Sequence, residues 1–323
     1  MSAAPITVVG ERGSGRSANP NTGGLRVVRF DTDDGLRLSG LLNDVGSDTT
    51  VIHVHGFGGN FYENTFVDVM RDAYAIANLN FLAFNNRGHG SYVEAYQNGA
   101  MAYVGAAVED FEDCLLDIGA AVRFAQTVGS RVVLQGHCMG AHKIMHYARR
   151  VDSSVELILL APCDMYRAQA EYIHPERVED QIARLRASYR LEGMEWLPAQ
   201  EYGVKVPGVE YHVPVVAGAL VAMLSSPAYQ TLRADAPWQG ETWPNRAFVY
   251  LGGRDPLNFD GIAPMKKMLG ERLSDASVVV FADGGHQLKP VEREVSAAIA
   301  EWVCAPQRCQ RRDDDRIVTA LAA

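Results

Sequence analysis

From residue 50 onward, short β-prone apolar runs alternate with longer stretches whose apolar residues recur every three to four positions. Runs at 50–54, 81–84, 131–134, 155–160, 247–251 and 277–281 are only four to six residues long, and most are too uniformly apolar to leave one face in water. Between them lie helical patterns at 62–78, 108–127, after Met139, after Asp260 and at 291–303. Strands buried on both faces and joined through helices imply crossover connections. The expected fold class is therefore α/β, with a mostly parallel sheet of about eight strands flanked by helices. Ahead of it, the runs at 25–30 and 36–42 flank Asp33-Asp34-Gly35, a turn signal that predicts an antiparallel hairpin opening the sheet.

The alternation breaks between 163 and 237, where charged helical residues at 179–190 give way to Trp196, Tyr202, Tyr211, Pro214 and an apolar stretch at 215–224. Insertions into such sheets sit over the carboxyl ends of the strands, so 163–237 is expected to form a lid. Trp196, Tyr202 and Tyr211 are candidates for lining a substrate pocket, or else form the lid's own core. The domain expectation is a core of 25–162 and 238–304, with flexible tails at 1–24 and 305–323 that lack periodicity.

Composition narrows the function classes. Among 323 residues the net charge is −9 and no run of Lys or Arg exceeds two, which excludes the electrostatic footprint of a nucleic-acid binder. Five cysteines (Cys114, Cys138, Cys163, Cys304, Cys309) make no C-x-x-C, which argues against a disulfide framework or structural zinc and predicts a reducing compartment. There is no stretch of about 18 uncharged apolar residues, so the expectation is a cytoplasmic, membrane-free protein.

Chemistry concentrates in Gly136-His137-Cys138-Met139-Gly140, between the run at 131–134 and a helix. A nucleophile on a tight strand-to-helix turn needs glycines two residues to either side, and the helix N-terminus behind it favours a thiolate. Two further signals follow in order. Asp255, in Gly252-Gly253-Arg254-Asp255-Pro256, comes directly after the run at 247–251; His286, in Gly284-Gly285-His286-Gln287, follows the run at 277–281. Nucleophile, acid and base thus stand in sequence, each at a strand's carboxyl end. Asp164 and Asp283 are rival acids, Asp164 the stronger. His142 and His146 share a helix face at i, i+4 but lack the Glu of a zinc helix motif and a third ligand. His53 and His137 are read as core histidines, His55 and His89 as turn histidines, and the other four cysteines as structural.

In these residues, and in His55-Gly56-Phe57-Gly58-Gly59 and Asn86-Arg87-Gly88-His89-Gly90, the chain resembles the α/β-hydrolase fold superfamily over about residues 25–304. Cys in place of the usual Ser is similar to dienelactone hydrolases and to cysteine-type thioesterases or cyclases. The resemblance implies that Cys138 is the nucleophile and His286 its base, that Asp255 orients His286, and that the backbone N–H groups of Phe57 and Met139 form an oxyanion hole. It implies an acyl hydrolase acting on an ester, lactone or thioester through an S-acyl cysteine. The alternatives are an acyltransferase or cyclase, a non-catalytic binding member, or a lyase or epimerase using His286 without a covalent step. The partner would be a small acyl substrate, carrier- or CoA-linked in one version. No metal or organic cofactor is implied, as neither a dinucleotide fingerprint after a strand nor a P-loop occurs.

Overall fold

The computed structural model describes residues 7–8, 24–172, 177–202, 204–205, 212–233, 240 and 242–305. Its elements in chain order are β1 (Thr7–Val8), β2 (Gly24–Asp31), β3 (Arg37–Asp44), β4 (Thr49–Val54), α1 (Thr65–Ile76), β5 (Asn80–Asn85), β6 (Val93–Gln97), β7 (Ala100–Val104), α2 (Cys114–Ala125), β8 (Arg131–His137), α3 (Met139–Arg150) and β9 (Glu156–Leu160). After these come α4 (Met165–Tyr172), α5 (Val178–Ser188), α6 (Ala199–Tyr202), β10 (Val204–Lys205), β11 (His212–Val213), α7 (Ala217–Ser225), β12 (Trp243–Gly252), α8 (Ile262–Arg272), β13 (Leu273–Phe281) and α9 (Glu292–Cys304).

Eight full strands, with the two-residue β1 on the edge, form one sheet in the order β1-β2-β3-β5-β4-β8-β9-β12-β13. β2 and β3 are antiparallel, and β3 meets β5 antiparallel. From β5 across to β13 every pairing is parallel. This is the α/β class that the alternating runs predict, with the hairpin at one side. Successive residues of one strand serve opposite faces. Val51, Val133 and Ile158 pack under α1 and α9, through Phe66, Met70 and Ile299. Their neighbours Ile52, Leu134 and Leu157 pack under α2, α3 and α8, through Ile118, Ile144 and Leu269. Both faces are covered, so β5 and β9 are buried at every residue.

Several boundaries differ from the sequence expectation. The helix expected from 108 starts at Cys114, because Asp110 accepts the Glu112 N–H at 3.0 Å and opens a separate short turn at Phe111–Asp113. β12 and β13 start four residues earlier than their apolar centres, at Trp243 and Leu273. The β6–β7 hairpin is an addition. Its two-residue turn is Asn98-Gly99, both at positive φ (52° and 79°), and Gln97 pairs with Ala100 across it. That dipeptide is the strongest short-range hairpin signal.

Between β9 and β12 the described chain holds α4 to α7 and the β10–β11 ribbon. Its apolar residues, among them Met165, Leu185, Tyr202, Leu220 and Tyr229, bury together with Met139 of α3 and Leu257 beyond β12. The expected tails lie outside the described residues except for Thr7, Val8, Gly24 and Ala305; Thr7 and Val8 pair with Arg29 and Val28. Among the described residues no helix is long and apolar enough to cross a membrane.

One buried ion cluster ties the loop after β5 to two other segments. The Arg87 guanidinium bonds Asp117 of α2 at 2.9 and 3.0 Å, Asp113 at 2.7 Å and Asp34 of the β2–β3 turn at 3.2 Å. The Asp117 side chain is fully buried. Burial pushes its carboxyl upward and Arg87 opposes that push. Substituting Arg87→Met would strand this carboxylate, so chemical denaturation should show a loss of about 3–5 kcal/mol. The double variant Arg87→Met/Asp117→Asn, which removes both charges but keeps an acceptor for the residue-87 N–H that Asp117 bonds at 2.7 Å, should recover most of it.

Candidate active site

β8 ends at His137 and α3 begins at Met139, leaving Cys138 alone in the turn at φ 54° and ψ −120°. This left-handed conformation costs a residue with a side chain about 1–3 kcal/mol, so the surroundings must impose it. They do so by backbone packing. A Cβ on Gly136 would lie 2.3 Å from the Gly140 carbonyl oxygen, and one on Gly140 would lie 2.2 Å from that of Val54. Both positions therefore admit only glycine, and the turn is pressed against the end of β4. The Cys138 N–H donates to the Leu160 carbonyl at 2.9 Å, which ties the turn to β9 as well. Cys138 itself is partly exposed at the N-terminus of α3.

Asp255 and His286 come from the loops after β12 and β13, and the parallel pairing of these strands sets the two loops side by side. His286 Nδ1 donates to Asp255 Oδ2 at 2.9 Å, and Asp255 Oδ1 accepts the Leu257 N–H at 2.9 Å. Both side chains are buried. The loop is braced by Tyr250, whose hydroxyl donates to the Gly285 carbonyl at 2.9 Å, and by His137, whose Nε2 donates to the His286 carbonyl at 2.8 Å.

The electrostatics separate two neighbouring imidazoles whose centroids lie 5.0 Å apart. Burial, then the charge on His286, pushes His137 down to about 4, which leaves it neutral. His286 behaves oppositely. Burial again works against its charge, but the Cys138 thiolate and the Asp255 hydrogen bond outweigh that and hold it up to about 10. Cys138 is held well below the ordinary thiol range, first by a hydrogen bond from Cys163 and then, against burial, by the charge and hydrogen bond of His286. Cys163 is driven well up by the same contact with Cys138 and by burial. Its thiol also lies 3.2 Å from Met165 Sδ, a far weaker acceptor than a thiolate. Near neutral pH the favoured state is a thiolate on Cys138 beside an imidazolium on His286.

Two backbone N–H groups flank this thiol. Met139 is the first residue of α3, so its N–H has no partner within the helix. A Cβ on Gly56 would sit 3.0 Å from Cys138 Cβ and 3.7 Å from its Sγ, which places the Gly56–Phe57 peptide beside the sulfur. Among the described residues, neither N–H is taken up by a backbone carbonyl.

The remaining candidates are placed as follows. Asp164 accepts the Arg167 N–H at 2.9 Å at the start of α4, and Asp283 pairs with Arg254 at the surface; Asp255 is the carboxylate that bonds His286. His142 bonds the Cys163 carbonyl at 2.9 Å, whereas His146 bonds Glu112 at 2.8 Å. Among the described residues no three His, Cys, Asp or Glu side chains are grouped to hold a metal. His53 lies 2.9 Å from Gln135 inside the sheet, and His89 bonds the Asn86 carbonyl at 2.9 Å. Tyr202 is buried in the insertion, edge-on to Tyr189 at 5.8 Å; Trp196 is 41% exposed and meets Tyr92 at 5.3 Å. Tyr211 lies outside the described residues. What sequence reasoning missed is the immediate company of the thiol, Cys163 and Tyr229. The only hint is that Cys163 stands just past β9, the neighbour of the strand that leads into Cys138.

A family model described as the alpha/beta hydrolase family matches residues 51–302. Among solved structures, the esterase Pf2001 of Pyrococcus furiosus is similar over 93% of this chain and 98% of its own, at 17% identity and a TM-score of 0.56. Est1E from Butyrivibrio proteoclasticus with ferulic acid bound is similar over 85% and 97%, at 15% identity and a TM-score of 0.56. The alpha/beta hydrolase GrgF from Penicillium sp. sh18 is similar over 87% and 96%, at 16% identity and a TM-score of 0.59. At these identities the likeness is one of fold. No curated protein is significantly similar in sequence.

The electrostatics predict how Cys138 titrates. Its alkylation by iodoacetamide, followed by mass spectrometry, should already be fast at mildly acidic pH and change little up to pH 9. Cys163→Ala removes a donor to the thiolate, so the midpoint should move upward and alkylation at pH 6 should slow. An unchanged profile would mean that Cys163 spends its proton on Met165.

Proposed function

The chain belongs to the alpha/beta hydrolase family, matched over residues 51–302, and from that premise we propose that it is an acyl hydrolase working through an S-acyl intermediate on Cys138. The observation that carries this is the bond of 2.9 Å between His286 and Asp255, with the protonated imidazole set against a thiol held far below its ordinary range. With Cys138 held down and His286 held up by each other's charge, the favoured pair is thiolate and imidazolium, so His286 need not act first as a base. Its first task is to supply a proton to the leaving group.

The sequence of steps follows from those states. The Cys138 thiolate attacks the acyl carbonyl of an ester, lactone or thioester, and the electron pair of the C=O bond moves to oxygen. Phe57 and Met139 N–H groups receive that oxyanion, donors of a kind worth about 10²–10³ in rate each. The intermediate collapses, the bond to the leaving group breaks, and His286 protonates the departing oxygen or sulfur. Now neutral, His286 takes a proton from water as the water oxygen attacks the thioester. Collapse releases the acid and returns a thiolate on Cys138 beside an imidazolium on His286. Asp255 keeps the Nδ1 proton in place throughout, so that Nε2 faces the reaction. In this reading the described residues of 163–237 serve as the cap over the site.

An acyltransferase or cyclase is the second reading, and one observation favours it. Cys138 packs against a cluster that includes Met139, Cys163, Met165, Tyr229 and Leu257, surroundings that hold little water beside the thioester. An amine, alcohol, thiol or carbanion delivered by the substrate would then compete well with water.

Intact-protein mass spectrometry after brief exposure to activated esters and thioesters tests the proposal. Wild type should gain one acyl mass on Cys138, Cys138→Ala should gain none, and full turnover by Cys138→Ala would overturn the mechanism. His286→Ala should slow acylation by about 10²–10⁴-fold. Added amine or alcohol that hastens loss of the adduct would select the transferase reading.

A further inference from the structure

We propose that a buried relay, Lys143 with Glu109, then Asn86, then His55, positions the Phe57 N–H as an oxyanion donor, which makes His55 and Lys143 positioning residues for acyl transfer. The inference rests on the acyl-transfer reading of the site and deepens it.

The Gly56 carbonyl and the Phe57 N–H are opposite ends of one planar trans peptide, so whatever fixes the carbonyl fixes the direction of the N–H. That carbonyl is held twice. His55 Nδ1 donates to it at 2.8 Å and the Gly59 N–H at 3.2 Å. The other ring nitrogen of His55 accepts the Asn86 N–H at 3.2 Å. Both bonds can exist together only in the neutral ring with its proton on Nδ1. His55 is fully buried, and burial, then the nearby positive charge of Lys143, keeps it neutral by pushing its protonation far down.

Asn86 is fixed in turn. Its Oδ1 accepts the Gly88 N–H at 3.0 Å and Lys143 Nζ at 3.3 Å. Lys143 projects from α3, the helix that starts at Met139, and its side chain is fully buried and ion-paired with Glu109, itself almost fully buried. A Cβ on Gly88 would lie 2.1 Å from the Glu109 carboxylate, so the loop after β5 is moulded directly onto this pair. One helix therefore governs both oxyanion donors, Met139 through its own first turn and Phe57 through Lys143 at a distance. The donors on the Gly56 carbonyl also polarise its peptide and strengthen the N–H at the far end.

A buried ion pair with a purely structural role would affect stability alone. The discriminating readout is a comparison of two reactions of the same sulfur. Alkylation by iodoacetamide displaces iodide from carbon and develops no oxyanion, whereas acylation by an activated ester does. His55→Leu should slow acylation by about 10–100-fold, less than outright loss of a donor, while alkylation of Cys138 stays within twofold of wild type. Lys143→Met/Glu109→Leu, which removes both buried charges and so leaves neither stranded, should show the same bias at about 3–10-fold and serves if His55→Leu does not fold. A ratio of acylation to alkylation that is unchanged in either folded variant overturns the relay while leaving the acyl-enzyme intact. A wild type that is alkylated at Cys138 yet accepts no acyl group from any ester removes the acyl-enzyme reading, and the relay with it.

Discussion

Close contact of backbone with backbone at the end of β8 is the constraint on which the rest of this molecule depends. Gly136, Gly140 and Val54 approach one another within distances that leave no room for a Cβ. The chain must therefore reverse within a single residue, and Cys138 takes the positive φ that the reversal requires. The strain at Cys138 is supported by two central parallel strands and a helix packed under the most buried part of the core. Displacing the thiol would mean displacing β4, β8 and α3 together. A side chain held this way needs no further ordering to present its sulfur.

Charge then does what packing cannot. Burial works against charge on both imidazoles beside Cys138, and with the charge on His286 it leaves His137 neutral. His286 escapes because the thiolate and the Asp255 hydrogen bond act on it from different directions. Cys163 adds an asymmetry between two sulfurs. Its contact with Cys138 drives Cys163 up and Cys138 down, so the proton of the pair is favoured on Cys163. Two adjacent cysteines of identical intrinsic chemistry are thereby given different protonation states by position alone.

The α/β class and the crossover arrangement could be read from apolar period because strands covered on both faces have no alternative pattern, as in β5 and β9. The juxtaposition of Asp255 with His286 was readable for a related reason: loops after adjacent parallel strands emerge side by side. Where legibility failed, the information was tertiary. β12 and β13 extend through polar residues such as Arg246 and Asp275, which pair with each other because their neighbours pair. Cys163 resembles any buried cysteine in sequence; only the β8–β9 register brings it to Cys138. Trp196 and Tyr202 carry aromatic bulk that composition cannot assign to a pocket or to packing, and here they pack with Tyr92 and Tyr189. The β6–β7 hairpin is different, since Asn98-Gly99 announced it locally.

The distribution of buried charge explains why the site end of the sheet can be irregular yet fixed. The loops after β4 and β5 meet through few backbone bonds, chiefly the contact of Gly90 N–H with the Gly58 and Gly59 carbonyls. Apolar packing would hold such loops without specifying the direction of any peptide. Directional groups can do so, and two buried ion systems converge on the few residues after β5: Arg87 reaching Asp34, Asp113 and Asp117, and Lys143 with Glu109 bracing Asn86. Buried pairs of this sort are close to neutral for stability compared with apolar replacements. Their value lies in geometry. Leucine could fill this region as stably, whereas fixing the direction of the Gly56–Phe57 peptide takes groups whose bonds have a direction.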